Sequence, residues 1–265
     1  MYTACWNDAK MLTFFFRHYD SLVQRYVIFD DGSTDESLAM LGAHPKVDLR
    51  QFPRTHPDSF VLSEQQLSNV CWQESCGRAD WVFVIDLDEH LVHFDVRDYL
   101  TRCRKAGVTI VPALGFQMIS REFPSADEYL CRTRTKGTPW SPMCKLSVFD
   151  PCAIDEINFS VGRHSAEPTG KVIAPHKDEM LNLHYKYLNF DRTAARHREL
   201  LRGLGSRDHA AGWAHKYRWS DAELREDWEL MERQLVDVAA PEIAAPEYPL
   251  APWWKSQPRA FVSVV

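Results

Sequence analysis

No segment of the chain approaches the roughly 20 apolar residues that a helix needs to cross a bilayer. The apolar run Met11 to Phe16 is short and is flanked by Asp8, Lys10 and Arg17. The chain also lacks any excess of positive charge. Its 31 Lys and Arg face 37 Asp and Glu, a formal net charge of -6, so nothing global attracts a polyanion and nucleic acid is not the expected partner. A phosphate-bearing substrate would need local cations or a bound metal. None of the seven cysteines falls in the paired spacing of a zinc site or a redox dithiol; free thiols in a reducing cytoplasm are the expectation. Tyr2 to Lys10 contains no glycine, which counts against the Gly-rich phosphate loop of a nucleotidyltransferase. There is no repeat of fixed period and no long low-complexity segment.

What is present is an ordinary globular composition, 265 residues with 45% hydrophobic, enough for one α/β domain with an appendage. The first third alternates strand-like and helix-like segments. Tyr2 to Trp6 reads as a strand, and Asn7 can cap a helix whose apolar positions Met11, Phe14, Phe15 and Leu22 follow helical spacing. Arg25 to Phe29 is a second strand, broken by Asp30 to Asp35 before a short helix over Glu36 to Leu41. Val47 to Phe52 is a third, and Ser63-x-x-Gln66 has the pattern of a capping box. Trp81 to Ile85 is the most apolar strand. Such alternation predicts a mostly parallel, Rossmann-like sheet flanked by helices, with ligands outside the carboxyl ends of the strands. Later segments are less regular: strands over Val108 to Val111 and Lys145 to Phe149, a helix over Arg192 to Leu204, and an amphipathic helix over Asp221 to Val238. Residues 1-205 are expected to form the main domain. Residues 206-265 form a helical, Pro-rich extension, packed on that domain or joining a homodimer.

Asp86 and Asp88 follow the apolar strand. Alternation across a strand would point them the same way, and two carboxylates side by side persist where a cation relieves them; Mg²⁺ or Mn²⁺ bridging to substrate phosphates is the common case. A bare Asp-x-Asp is more often a solvated turn. Its place after an apolar strand, with Asp30 and Asp31 at a second strand end, is what raises it above that background.

Asn7-Asp8, Arg17-His18-Tyr19 and Tyr26 to Ser37, together with Asp80 to His90, resemble the opening and the metal-binding strand end of family 2-type glycosyltransferases of the GT-A fold. In particular they resemble the subgroup related to family 92 transferases, where phenylalanine is usual at the place of His90. The similarity is close over about the first 95 residues and looser, through Lys145 and Leu183 to Tyr187, to about residue 200.

The resemblance implies a metal-dependent transfer of sugar from a nucleoside-diphosphate donor, UDP-linked by preference, to a carbohydrate or glycoconjugate hydroxyl with inversion. Asp31 would bond the donor base, with Asp30 or Asp35 orienting its loop. Asn7, Asp86 and Lys145 would also serve the nucleotide sugar. Asp86 would meet ribose or metal, Asp88 would be the principal metal ligand, and His184 would be a further one, tilting preference from Mg²⁺ toward Mn²⁺. Inversion needs a carboxylate to take the acceptor's proton, and Asp155, Glu156 and Glu167 lie in the region expected to face the acceptor. A soluble chain in the cytoplasm, or peripheral at the inner face of the membrane, goes with this reading. Two alternatives are a nucleotide- or sugar-binding module of the same fold without catalysis, and a sugar-phosphate nucleotidyltransferase.

Overall fold

The computed structural model describes residues 1–238, 248–256 and 262–264, the last as backbone. Part of the Pro/Ala-rich segment expected between 239 and 252 lies outside the described residues. The chain is α/β. Strand β1 (Tyr2–Cys5), helix α1 (Ala9–Tyr19), β2 (Tyr26–Asp30), α2 (Ser37–Ala43) and β3 (Val47–Gln51) form two βα steps and a closing strand, in a parallel sheet of order β1-β2-β3. Helix α3 (Phe60–Val70) follows, then β4 (Val82–Phe83), β5 (Glu89–Val92) and α4 (Val96–Lys105). A parallel bridge from Tyr2 to Val84 connects the first sheet to the second.

The second sheet is mixed. Its central strand is β6 (Ile110–Ser120), far longer than the Val108–Val111 segment expected from sequence. Pro112 sits where the register with the neighbouring strand shifts, which spares the ladder its missing N–H. Gly115 is required because the Met143–Cys144 backbone would come within 2.2–2.5 Å of a Cβ there. After the short α5 (Leu130–Thr133), strands β7 (Lys136–Pro139) and β8 (Lys145–Phe149) pair antiparallel with β6; after β9 (Ile173–Pro175), β10 (Met180–Leu188) runs parallel to β6 and antiparallel to β5.

Two caps differ from expectation. Ser59, not Ser63, caps α3, its hydroxyl accepting from Leu62 N at 3.0 Å; Ser63 lies inside the helix and bonds the Ser59 carbonyl at 2.8 Å. Asn7 does not cap α1. It sits at φ 52° and its Oδ1 accepts from Thr34 N (2.7 Å) and Asp35 N (3.3 Å), tying the two βα turns together. Asp35 in turn accepts from Ala9 N and Ser37 N, serving the first N–H of both α1 and α2.

Residues beyond 205 make direct contacts with the rest of the chain. Helix α6 (Phe190–Gly203) leads to α7 (Ser206–Ala211), whose buried Asp208 accepts from Phe60 N at 2.8 Å and from the Ser59 hydroxyl. Gly205 at this junction lies against the Asp58 carbonyl, where a Cβ would come within 2.0 Å. Helix α8 (Asp221–Glu232) is shorter than the segment expected to reach Val238, because β11 (Val236–Asp237) leaves it to pair with β7. Trp228 of α8 stacks on Tyr187 at 5.2 Å, and Trp254 is buried in the core beside β10. Strand β12 (Val262–Val264) pairs with β9.

Cys76 and Cys152 are disulfide-bonded across 76 residues, which corrects the expectation of seven free thiols. Their sequence spacing carries no pairing signal; the antiparallel β4–β8 pair is what brings the two segments together. Among the described residues no helix is long and apolar enough to cross a membrane.

Candidate functional site

The acidic strand end does not continue as a strand. Val84 N bonds Ser147 O and Ile85 N bonds Tyr2 O, then Glu89 N bonds Asp86 O at 3.1 Å and Tyr185 N bonds Asp88 O at 2.7 Å. Residues 86–88 are thus a turn between β4 and β5, with Leu87 buried between the two carboxylates. Strand alternation does not govern a turn, and Asp86 and Asp88 have separate partners rather than one shared direction.

Asp86 belongs to a buried ionic cluster. Its Oδ1 lies 2.6 Å from Arg163 Nη2 and its Oδ2 3.3 Å from Lys145 Nζ. Lys145 also lies 2.5 Å from Glu89, and Arg163 lies 3.6 Å from Glu64 and 3.7 Å from Glu89. Lys145 and Arg163 have side chains only 2% exposed and Glu89 none, whereas that of Asp86 is 47% exposed. Burial pushes the Glu89 and Glu64 carboxyls up, against the pull of Lys145 and Arg163 respectively. Burial acts the same way on Asp86, but Arg163 and Lys145 together outweigh it and hold its carboxyl well below the usual range. Asp86, Glu64 and Arg163 line a small cavity with Thr3, Phe29 and Leu67, between the sheet ends and α3.

Asp88 faces the other way. Its Oδ2 lies 3.4 Å from His184 Nε2. His184 belongs to a polar row across the second sheet, formed by register: Glu89 on β5 opposes His184 on β10, His184 pairs with Gln117 on β6, and Gln117 with Thr138 on β7. All four are buried. Gln117 Nε2 donates to the carbonyls of Met118 (3.0 Å) and His184 (3.1 Å), so its Oε1, 2.7 Å from His184 Nδ1, is an acceptor. His184 Nδ1 therefore carries a proton, and in the neutral ring Nε2 presents its lone pair toward Asp88. That is the arrangement of a metal-ligating histidine, with its far nitrogen fixed by a neighbour.

Around this pair stand Asp8, Arg196 and Lys186. Arg196 Nη2 lies 2.8 Å from Asp8 and donates to Trp6 O at 2.8 Å, while its Nη1 lies 2.7 Å from Glu199. Arg196, 23% exposed, and the buried His197 thus face inward from the helix Phe190–Gly203. Burial pushes Asp8 up to about 6, Arg196 pulling down and Asp88 pushing up.

The other residues named from sequence are scattered more widely. Asp30 is buried, its Oδ2 accepting from Gly32 N and Ser33 N, both at 2.9 Å. The Asp31 carboxylate, 8% exposed, is held at both oxygens by Arg54, with Arg54 Nε at 2.8 Å from Oδ1. Asp155, Glu156 and Glu167 are exposed, and the hydrogen bonds of their segment are internal: Asp155 N to Thr169 O, Asn158 Nδ2 to Glu156, Glu167 N to Asn158 O. No contact joins these three to Asp88, though the same loop delivers Arg163 to Asp86. Arg163, Glu89, Gln117 and Lys186 border the site although they are not among the residues expected there from sequence. Gln117 had a signal, as the one amide in an otherwise apolar strand; Arg163 had none, since it reaches the site through a loop.

Among the described residues no three His, Cys, Asp or Glu side chains group as a metal site. Asp88 and His184 supply two donors of suitable chemistry, and both Asp86 oxygens are engaged by cations. The donor set fits a divalent ion that takes its remaining ligands from substrate oxygens and water, but not the three-residue set of Asp86, Asp88 and His184.

No family model matches the chain, and no curated protein matches it in sequence. Among solved structures it is similar to S. aureus TarS 1-349, with 10% identity and a TM-score of 0.41, over 74% of this chain and 64% of that one. The same protein in complex with UDP-GlcNAc matches at 11% identity and a TM-score of 0.37, over 74% and 63%. Its complex with UDP matches at 12% and 0.38, over 57% and 47%. The chain thus spans less than two thirds of the length of these structures, and no residue role passes to it from so weak a likeness.

Proposed function

We propose that this chain is a glycosyltransferase moving a sugar from a nucleoside-diphosphate donor, UDP-linked by preference, to a hydroxyl of a carbohydrate or glycoconjugate. The observation that carries the reading is the Asp88–His184 pair, with Gln117 fixing the ring so that Nε2 meets the carboxylate at a sheet end. Asp88 and His184 would hold Mn²⁺ or Mg²⁺, which when bound neutralises the donor diphosphate. Imidazole favours Mn²⁺. Asp86, fixed by Arg163 and Lys145 at the mouth of the cavity along α3, is assigned to the donor ribose rather than to the metal.

Asp31 and Asn7 are assigned to the nucleoside end. Asp30 orients that loop through its bonds to Gly32 and Ser33. Direct displacement with inversion requires a carboxylate on the acceptor side; Asp155, Glu156 and Glu167 are its candidates, on the loop that also places Arg163. A cytoplasmic location, expected from thiol usage, is weakened by the Cys76–Cys152 bond.

A panel of nucleoside diphosphates with Mn²⁺, scored by thermal stabilisation, tests the reading. A ligand at about 100 times its Kd adds about 2.7 kcal/mol of stability, so one base should raise Tm by several degrees, and Asp88→Ala should abolish the metal-dependent part. Transfer by Asp88→Ala at full rate in EDTA would sink the metal-dependent reading. Nucleotide binding with no turnover on a broad acceptor panel would favour the non-catalytic module.

A further inference from the structure

Strand β10 alternates apolar and polar residues up to the register shift that follows His184. Leu181, Leu183 and Tyr185 enter the core beside β6, while Asn182, His184 and Lys186 alternate with them. Lys186 is half-buried, two residues beyond His184. Its ammonium donates to the Tyr217 hydroxyl at 2.7 Å and stands 4.7 Å from the centre of that ring. Tyr217 lies in the turn His215–Arg218, within the C-terminal extension.

The other cations bordering the site are matched by carboxylates. Lys145 has Glu89 at 2.5 Å, Arg163 has Asp86 at 2.6 Å, Arg196 has Asp8 at 2.8 Å and Lys216 has Asp227 at 3.0 Å. Among the described residues Lys186 has no carboxylate within 4.0 Å, and one neutral oxygen meets one of its three donors. A partly buried ammonium without a counter-charge is costly unless an anion arrives.

We infer that Lys186 receives the leaving diphosphate, with Tyr217 positioning it, so that the C-terminal extension completes the donor site. The inference rests on the glycosyltransferase reading. In the transfer, the bond from C1 of the sugar to the β-phosphate oxygen breaks and its electron pair stays on that oxygen. The acceptor oxygen bonds to C1 and gives its proton to a carboxylate. Lys186 meets the charge that appears on the β-phosphate, a position that rewards a preorganised cation.

Calorimetric titration of UDP and UMP in Mn²⁺ tests this on the full chain. The wild type should bind UDP more tightly than UMP. Lys186→Met should weaken UDP by about 10- to 100-fold, the scale of one lost charge-assisted bond, and UMP far less. Lys186→Gln should do the same, and stands in if the methionine variant fails to fold. Lys186→Arg should restore most of the preference, and Tyr217→Phe should cost a few-fold. An unchanged UDP-to-UMP preference in a folded Met or Gln variant overturns the inference and leaves the wider reading intact. Absence of nucleoside diphosphate binding by the wild type, with Mn²⁺ and with Mg²⁺, overturns both.

Discussion

The two aspartates of one short turn sit in opposite kinds of surroundings. Asp86 is anchored to a buried ionic cluster in which Lys145, Arg163 and Glu89 are almost wholly inaccessible. Asp88 faces a single oriented imidazole and a shelf of partly exposed charges, Asp8, Arg196 and Lys186. In the first region the charges satisfy one another; in the second Asp88 meets one imidazole at 3.4 Å, and Lys186 has no carboxylate within 4.0 Å among the described residues. The same motif therefore divides into an aspartate fixed by two buried cations and one that meets a single imidazole.

Substitution should expose this division. Lys145→Met leaves Glu89 fully buried with only Arg163 at 3.7 Å. Breaking a buried pair in this way costs about 3–5 kcal/mol, to be read from urea denaturation. Asp88→Asn removes a partly exposed partner and should cost about 1 kcal/mol while losing metal binding. If the two variants lose equal stability, the division is wrong.

Gln117 sharpens the second region. Gln117→Met keeps the volume but leaves His184 Nδ1 without its acceptor, so the ring is no longer held with Nε2 toward Asp88. Losing the group that orients a ligating ring weakens metal affinity by about 10- to 100-fold, measurable by Mn²⁺ titration followed by electron paramagnetic resonance. Gln117→Glu restores an acceptor and should recover most of the affinity. Equal Mn²⁺ affinity in all three proteins would remove Gln117 from the site.

These contrasts also mark how far the sequence could be read. The first two βα steps and the positions of Asp30, Asp86 and Asp88 at strand ends are local properties, and hydrophobic periodicity with turn chemistry exposes them. Strand β6 was largely hidden because Pro112 and Gly115 look like breakers, and their tolerance depends on a register shift and on the passing Met143–Cys144 backbone. The polar row from Glu89 to Thr138 exists only through pairing of four strands distant in sequence. Arg163 reaches Asp86 from a loop 77 residues on, and the Lys186–Tyr217 contact requires α6 to bring the extension back over β10. Residues whose role comes from tertiary pairing leave no periodic trace.

The smallest effect at neutral pH lies at the residue that follows Glu89. His90 is 1% exposed, and neither ring nitrogen has a hydrogen-bond partner. It stacks on His18 at 4.5 Å, and His18 bonds the Leu91 carbonyl. Burial pulls His18 down to about 4, and burial with the nearby His18 pulls His90 well below its usual value. Both rings titrate near 6.5 once unfolded, so between pH 6.5 and 4 the unfolded chain binds more protons than the native one. Stability therefore falls as pH drops through that window, by about 1.4 kcal/mol per pH unit for each ring. Replacing His90 with Phe removes two unmet polar atoms. It should add about 1 kcal/mol at neutral pH and flatten the acid slope by about one proton. Urea denaturation at pH 7.5 and pH 5 measures both. Because the Asp88–His184 pair is left untouched, Mn²⁺ affinity should stay at the wild-type value; a change there would mean that the buried stack and the binding shelf are one unit.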